Sequence, residues 1–210
     1  MRKKSICFHP PRPDAAAGDL WKLDFTPPPF RPDGIDKSQW SQFRYRKYMA
    51  LEDESWRELT LGEGMTPVVR MDGNVLLKMD YMMPTLSYKD RGAAVLMAHC
   101  KAAGVDYVVQ DSSGNAGNSI AAYASRAGIP CEIFVPQGTS PKKIAMIRAH
   151  GAVCTVVPGN RDHCAAVCRE KADRKGCTTP IMYTIHFSMR GQRRISTRSW
   201  SSWGGSRNIW

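Results

Sequence analysis

The sequence predicts an α/β fold: a parallel β-sheet with helices on both faces. Two observations lead there. From residue 61 onward, short apolar runs alternate with segments of helical period, and a glycine stands just past each of three expected helix ends, at Gly104, Gly128 and Gly151.

Residues 75–79 (VLLKM) read as the first strand. A helix follows over 88–103, with Ala93, Ala94, Leu96, Met97 and Cys100 along its buried side. A strand over 107–110, a helix over 115–127, a strand over 131–135, a helix over 142–150, a strand over 153–157 and a helix over 162–175 continue the alternation. Each of the three glycines suits a left-handed cap, which returns the last helical carbonyls to hydrogen bonds. Strands that feed helices in this way pair in parallel and are covered on both sides.

Ahead of this pattern, Pro10, Pro11, Pro13, Pro27, Pro28, Pro29 and Pro32 interrupt any helix or central strand, so residues 1–58 are expected to form an extended leader. Its stretch WSQFRYRKY (40–48) could bind an anion; packing against the following domain is the favoured reading. Residues 59–176 are the organised portion and 177–210 a separate tail.

The 30 Lys and Arg against 19 Asp and Glu give a formal charge of +11, which raises the question of nucleic acid. Its placement argues otherwise. Residues 177–210 hold Arg190, Arg193, Arg194, Arg198 and Arg207 with no Asp, Glu or Lys, so 11 less 5 leaves only +6 on the rest. No apolar run approaches the roughly 20 residues of a membrane span, and the basic start leads into no apolar signal core. The expectation is a cytoplasmic protein with neither nucleic acid nor membrane as partner.

The seven cysteines (Cys7, Cys100, Cys131, Cys154, Cys164, Cys168 and Cys177) are scattered without a C-x-x-C pair, which favours reduced thiols. Cys164 and Cys168 lie one helical turn apart beside His163 and could in principle hold a metal. With no second ligand pair at zinc-site spacing, they read as small buried side chains on an amphipathic helix, and no metal is expected.

In parallel sheets, ligands sit beyond the carboxyl ends of the strands, in the loops that lead into helices. Two such loops are chemically unusual. In PTLSYKDRG (84–92), Lys89 falls in the first turn of a helix, where the dipole disfavours an ammonium and favours the neutral amine that attacks carbonyl carbon. A capped helix start, with Ser87 as N-cap, Asp90 complementing the dipole and a solvated Lys89, accounts for the same residues. In QDSSGNAGN (110–118), small residues let the backbone approach a ligand, and the N–H groups opening the next helix suit a carboxylate or phosphate. Asn115 adds an amide that donates and accepts. A tight turn with a serine cap is the alternative. The nucleotide patterns G-x-G-x-x-G and G-x-x-x-x-G-K-[ST] are absent.

Taken together, SYKDRG at 87–92 and SSGNAG at 112–117 closely resemble the paired motifs of fold-type II pyridoxal-phosphate enzymes, and LGEGMTP at 61–67 resembles threonine synthases in particular. Gly128–Ile129–Pro130 and Val135–Pro136 fit the same family, and the likeness covers about residues 59–176. The resemblance implies pyridoxal 5′-phosphate as cofactor and Lys89 as its Schiff-base lysine and general base. It places Asn115 on the cofactor's 3′-hydroxyl, and Ser112, Ser113 and Gly114, with Asn115, on the substrate carboxylate. It also implies a small amino-acid substrate, O-phosphohomoserine converted to threonine and phosphate, and intact relatives that are homo-oligomeric. Serine or threonine dehydratases and cysteine synthase-like β-replacement enzymes share these loops. The reading of another class is a non-catalytic basic binding protein.

The tail departs from the family. Residues 177–210 are rich in Arg, Ser and Trp and carry no helical or alternating period. Back-translated from Thr178 and read from the third base, they can spell YANHVYNPFFHEGTKTYIYE, which has the look of the family's next segment. The expectation is a frame-shifted tail on an N-terminal portion that is inactive as it stands, because the cofactor's phosphate loop and the partner of its ring nitrogen have no match here.

Overall fold

The computed structural model describes residues 8–9, 22–23, 26–51 and 53–174. Cys7, Cys177 and the tail at 177–210 lie outside these residues. Two short strands, β1 (Phe8–His9) and β2 (Lys22–Leu23), pair antiparallel. Next come a helical turn α1 (Trp56–Leu59) and an antiparallel hairpin of β3 (Val68–Asp72) and β4 (Val75–Lys78). The remaining order is α2 (Asp90–Ala102), β5 (Val108–Asp111), α3 (Asn115–Ala127), β6 (Cys131–Pro136), α4 (Pro141–Ala149), β7 (Val153–Val157) and α5 (Arg161–Arg174).

Strands β5, β6 and β7 form the expected parallel sheet in sequential order, with Val108 opposite Cys131 and Glu132 opposite Val153. Its two faces are built by the period of two along each strand. Val108, Ile133, Val135 and Cys154 enter the main core with Leu96 and Met97 of α2, Ile120 and Tyr123 of α3 and Ile147 of α4. Val109, Phe134 and Val157 point the other way, onto Cys164 and Cys168 of α5. Those two cysteines are therefore packing residues, and burial pushes the Cys168 thiol up to about 12. Gly104, Gly128 and Gly151 close α2, α3 and α4 with φ of +69°, +72° and +84°.

Two expectations change. The strand at 75–79 is present, but it belongs to a hairpin outside the parallel sheet. Its partner β3 had gone unread, and the Asp72–Gly73–Asn74 turn, with Gly73 at φ +40°, joins the two. The leader is also not extended throughout. Ser41 Oγ accepts from the Phe43 N–H at 3.2 Å and opens a 3₁₀ segment over Gln42–Tyr48. Phe43 stacks on Trp56 at 5.0 Å, and both side chains sink into the main core with Leu59. At about 1.5–3 kcal/mol for each large apolar side chain buried, this segment contributes to stability in earnest. Packing, the favoured reading of 40–48, is what the structure shows.

The hairpin is the opposite case, since every residue of β3 and β4 is exposed. Of the sixteen exposed large apolar side chains among the described residues, twelve lie between Leu61 and Tyr88, a concentration typical of a surface meant to be covered. Among the same residues no helix is long and apolar enough to cross a membrane. Sedimentation at rising concentration is expected to show self-association through this surface. Lysine at both Met71 and Leu77 should shift the population toward monomer, and a parent chain that stays monomeric throughout contradicts the expectation.

Candidate active site

Lys89 stands at the N-cap position of α2, one residue earlier than the first turn, with φ −61° and ψ −25°. Ser87 does not cap the helix in the expected way. Its Oγ accepts from the Lys89 N–H at 3.3 Å, a local turn, and no side-chain cap bond forms. The Lys89 side chain is half-buried, with Nζ 4.9 Å from the ring centroid of Tyr88. The loop before it is strained at Leu86, a non-glycine residue at φ +62° that is 68% exposed.

Asp90 is more than a dipole complement. It is fully buried, and its carboxylate accepts from the Thr85 N–H at 2.6 Å, the Thr85 hydroxyl and the Ser119 hydroxyl at 2.5 Å. Ser119 lies one turn beyond Asn115 on α3, so this carboxylate ties the lysine loop to the helix that carries the second motif.

That second loop leaves β5 at Asp111 and enters α3 through Gly114 as N-cap, without the serine cap of the alternative reading. Gly114 donates its N–H to Ser112 Oγ at 3.4 Å. A Cβ at Gly117 would stand 2.0 Å from the Ser112 carbonyl oxygen, so the turn requires glycine there, whereas a Cβ at Gly114 would meet nothing within 4 Å. The first N–H groups of a helix have no partner within it, and an exposed Asn115 with half-buried Ser112 and Ser113 stands at this end of α3. Two buried side-chain oxygens flank the loop without hydrogen bonds, Gln110 Oε1 and Asn118 Oδ1. The N–H groups opening α3 suit a carboxylate, the two orphaned oxygens would accept from a donor, and Lys89 supplies the amine that an aldehyde cofactor requires.

The role of one residue in the third motif is visible only in the structure. Glu63, within LGEGMTP, is fully buried and accepts from the Leu61 N–H at 2.9 Å, Thr60 Oγ1 at 3.1 Å and the Tyr123 hydroxyl at 2.8 Å. Burial pushes its carboxyl above the ordinary range against those bonds. Gln42 closes the arrangement from the leader, its N–H donating to the Glu63 carbonyl at 2.7 Å and its Nε2 to the Arg91 carbonyl at 2.9 Å. Gly64, at φ +99°, could not carry a Cβ, which would meet Gln42 N at 2.7 Å. The glutamate between two glycines was the available signal.

A profile of the family described as "Pyridoxal-phosphate dependent enzyme" matches residues 59–208. The chain belongs to this family. The match covers the described residues from 59 onward and continues across most of 177–210. Threonine synthase of Mycobacterium tuberculosis is 36% identical over 136 residues, 61% of this chain and 38% of its own length. Threonine synthase of Methanocaldococcus jannaschii is 30% identical over 175 residues, 77% of this chain and 42% of its own. The chain thus spans about two fifths of the length of these curated relatives. Among solved structures, Escherichia coli diaminopropionate ammonia lyase in apo form matches with a TM-score of 0.59 at 17% identity, over 72% of this chain and 52% of that one. At that identity the likeness shows the fold, a fold-type II pyridoxal-phosphate enzyme in its N-terminal portion.

Two substitutions test this geometry. Leu86→Gly should raise stability by about 0.5–1 kcal/mol, the left-handed strain less the entropy cost of glycine, or about 2 °C in Tm. Leu86→Val should lower it, and the reverse order contradicts strain at this position. A carboxyl raised in the folded state disfavours folding once pH climbs above its unfolded value of 4.5, because the folded chain must then lose a proton it holds more tightly. Glu63→Gln keeps acceptors for Leu61 and Tyr123 and offers its amide to Thr60. Its Tm relative to the parent should therefore improve as pH rises above that value; a difference independent of pH would show that Glu63 is not held protonated.

Proposed function

We propose that this chain is the N-terminal portion of a pyridoxal-phosphate-dependent lyase of the threonine synthase type, acting on O-phosphohomoserine, with Lys89 as the lysine that anchors the cofactor. The observation that carries the proposal is the Asp90 clasp. It sets the Lys89 loop against α3, whose first turn holds Asn115. The name of the curated relatives at 30–36% identity, threonine synthase, supports the type of enzyme.

In this reading Lys89 Nζ holds the cofactor and, when released, carries a proton to and from the substrate. Asn115 would hydrogen-bond the cofactor's 3′-hydroxyl through its side-chain amide. Ser112, Ser113 and Gly114, with Asn115, would seat the substrate carboxylate on the N–H groups that open α3. The cofactor, when bound, supplies an electron sink for negative charge at the substrate's α-carbon.

As 210 residues alone, about two fifths of the length of its curated relatives, the chain is expected to bind the cofactor weakly and to lack turnover. The tail at 177–210 is read as a frame change near Thr178, supported by its lack of acids and by the family-like text of the shifted frame. The encoding DNA decides that point. Reconstitution with pyridoxal phosphate should give the visible absorbance of a protein-bound cofactor, and Lys89→Ala should abolish it. A band that survives Lys89→Ala sinks the assignment.

A further inference from the structure

Three consecutive residues at the start of α2 face three different ways. Asp90 turns to Thr85 and Ser119, while Lys89 stays half-buried beside Tyr88. Arg91 turns to Asp80, just past the hairpin, with Nη2 3.1 Å from Asp80 Oδ1 and 3.2 Å from Thr66 Oγ1. Thr66 Oγ1 donates to Asp80 Oδ1 at 2.7 Å. Lys78 donates to the Thr66 carbonyl at 2.6 Å and also to its hydroxyl, and its Nζ lies 3.8 Å from Asp80 Oδ1. One carboxylate thus holds together two cations and a hydroxyl in a cluster whose charged side chains are 21–33% exposed. Burial would raise the Asp80 carboxyl, but Arg91, Thr66 and Lys78 outweigh it and hold it below the ordinary range.

Successive helical residues are about 100° apart around the axis. The buried face of α2, the Asp90 clasp and Gln42 on the Arg91 carbonyl already hold the helix from the core side. The Arg91 side chain adds an attachment to Asp80 at the helix start, next to Lys89, in another direction. We propose that Asp80 and Arg91 are positioning residues that set the placement of Lys89 toward residues 112–115; this rests on the reading of Lys89 given above. The hairpin that delivers Lys78 and leads to Asp80 is exposed on every residue and adds nothing to the main core. Losing the cluster should therefore disturb the lysine more than the fold. Removing only the charge, by Asp80→Asn, leaves Lys78 and Arg91 facing each other without a counter-ion and should release the helix start.

The test uses the whole 210-residue chain. It is treated with pyridoxal phosphate, reduced with borohydride, and the label at Lys89 is compared by peptide mass spectrometry with that at Lys142 and Lys143, which are exposed on α4. The parent should label Lys89 ahead of both. In Asp80→Asn and in Arg91→Ala the ratio should fall by about fivefold or more, with the far-ultraviolet dichroism kept, and Asp80→Glu should restore most of it. An unchanged ratio in Asp80→Asn overturns the inference and leaves the Lys89 assignment standing. A parent without preference for Lys89 defeats both. Should either variant unfold, Thr66→Val removes one hydroxyl from the same cluster, and loss of fold in all three makes the cluster a stability element and overturns the proposal.

Discussion

The arrangement depends on one buried carboxylate. Asp90 sits at the first helical position of α2 with no exposure to water, and it is tolerable there because three donors converge on it. An isolated charge so placed would be expensive, so the contacts have to form together. That requirement couples distant stretches of sequence. Thr85 can donate only if the preceding loop bends through Leu86, and Ser119 can donate only if α3 lies close along α2. Both helices bring small buried side chains into the same core, Ala93, Ala94 and Ala98 from α2 and Ala121, Ala122 and Ala124 from α3. Site and core are thus a single packing problem, in which helices α2 and α3 meet through small side chains and the carboxylate sets their relative register.

Around this centre a second tier of polar contacts joins parts of the chain far apart in sequence. Glu63 receives Tyr123 from α3, and Gln42 from the leader bonds both the Glu63 and Arg91 carbonyls. The leader therefore reaches the lysine helix through its backbone as well as through Phe43 and Trp56 in the core. The loop at 61–67 can take its unusual path, with Gly62, Gly64 and Met65 all at positive φ, because both of its ends are tied.

Much of this was legible in the sequence where periodicity speaks. Strands β5, β6 and β7, the helices between them and their glycine caps fell within a residue or two of expectation, because each combines a period with a terminator. The motif residues Lys89, Ser112, Ser113, Gly114 and Asn115 stand out only through the resemblance of the two loops taken together, since each loop alone has the composition of an ordinary turn into a helix. What could not be read was tertiary. Nothing in the local sequence around Asp90 says that its partner is Ser119, twenty-nine residues on, or that Glu63 meets Tyr123 across sixty. The β3–β4 pair was half missed because its apolar residues face solvent, so neither strand shows the alternation that marks a half-buried one. In the leader the packing of 40–48 was legible but its backbone was not, because the 3₁₀ segment over Gln42–Tyr48 is held by contacts with residues that follow it.

The buried cysteines have a consequence of their own. All five within the described residues are buried, and burial pushes the thiols of Cys100, Cys131 and Cys168 up to about 12. At neutral pH such sulfurs carry almost no thiolate and scarcely meet solvent, so an alkylating reagent can reach them only when the surrounding structure opens. They lie on both faces of the sheet, Cys100, Cys131 and Cys154 in one core and Cys164 and Cys168 in the other. The molecule therefore carries its own clock for breathing, with separate dials for its two layers.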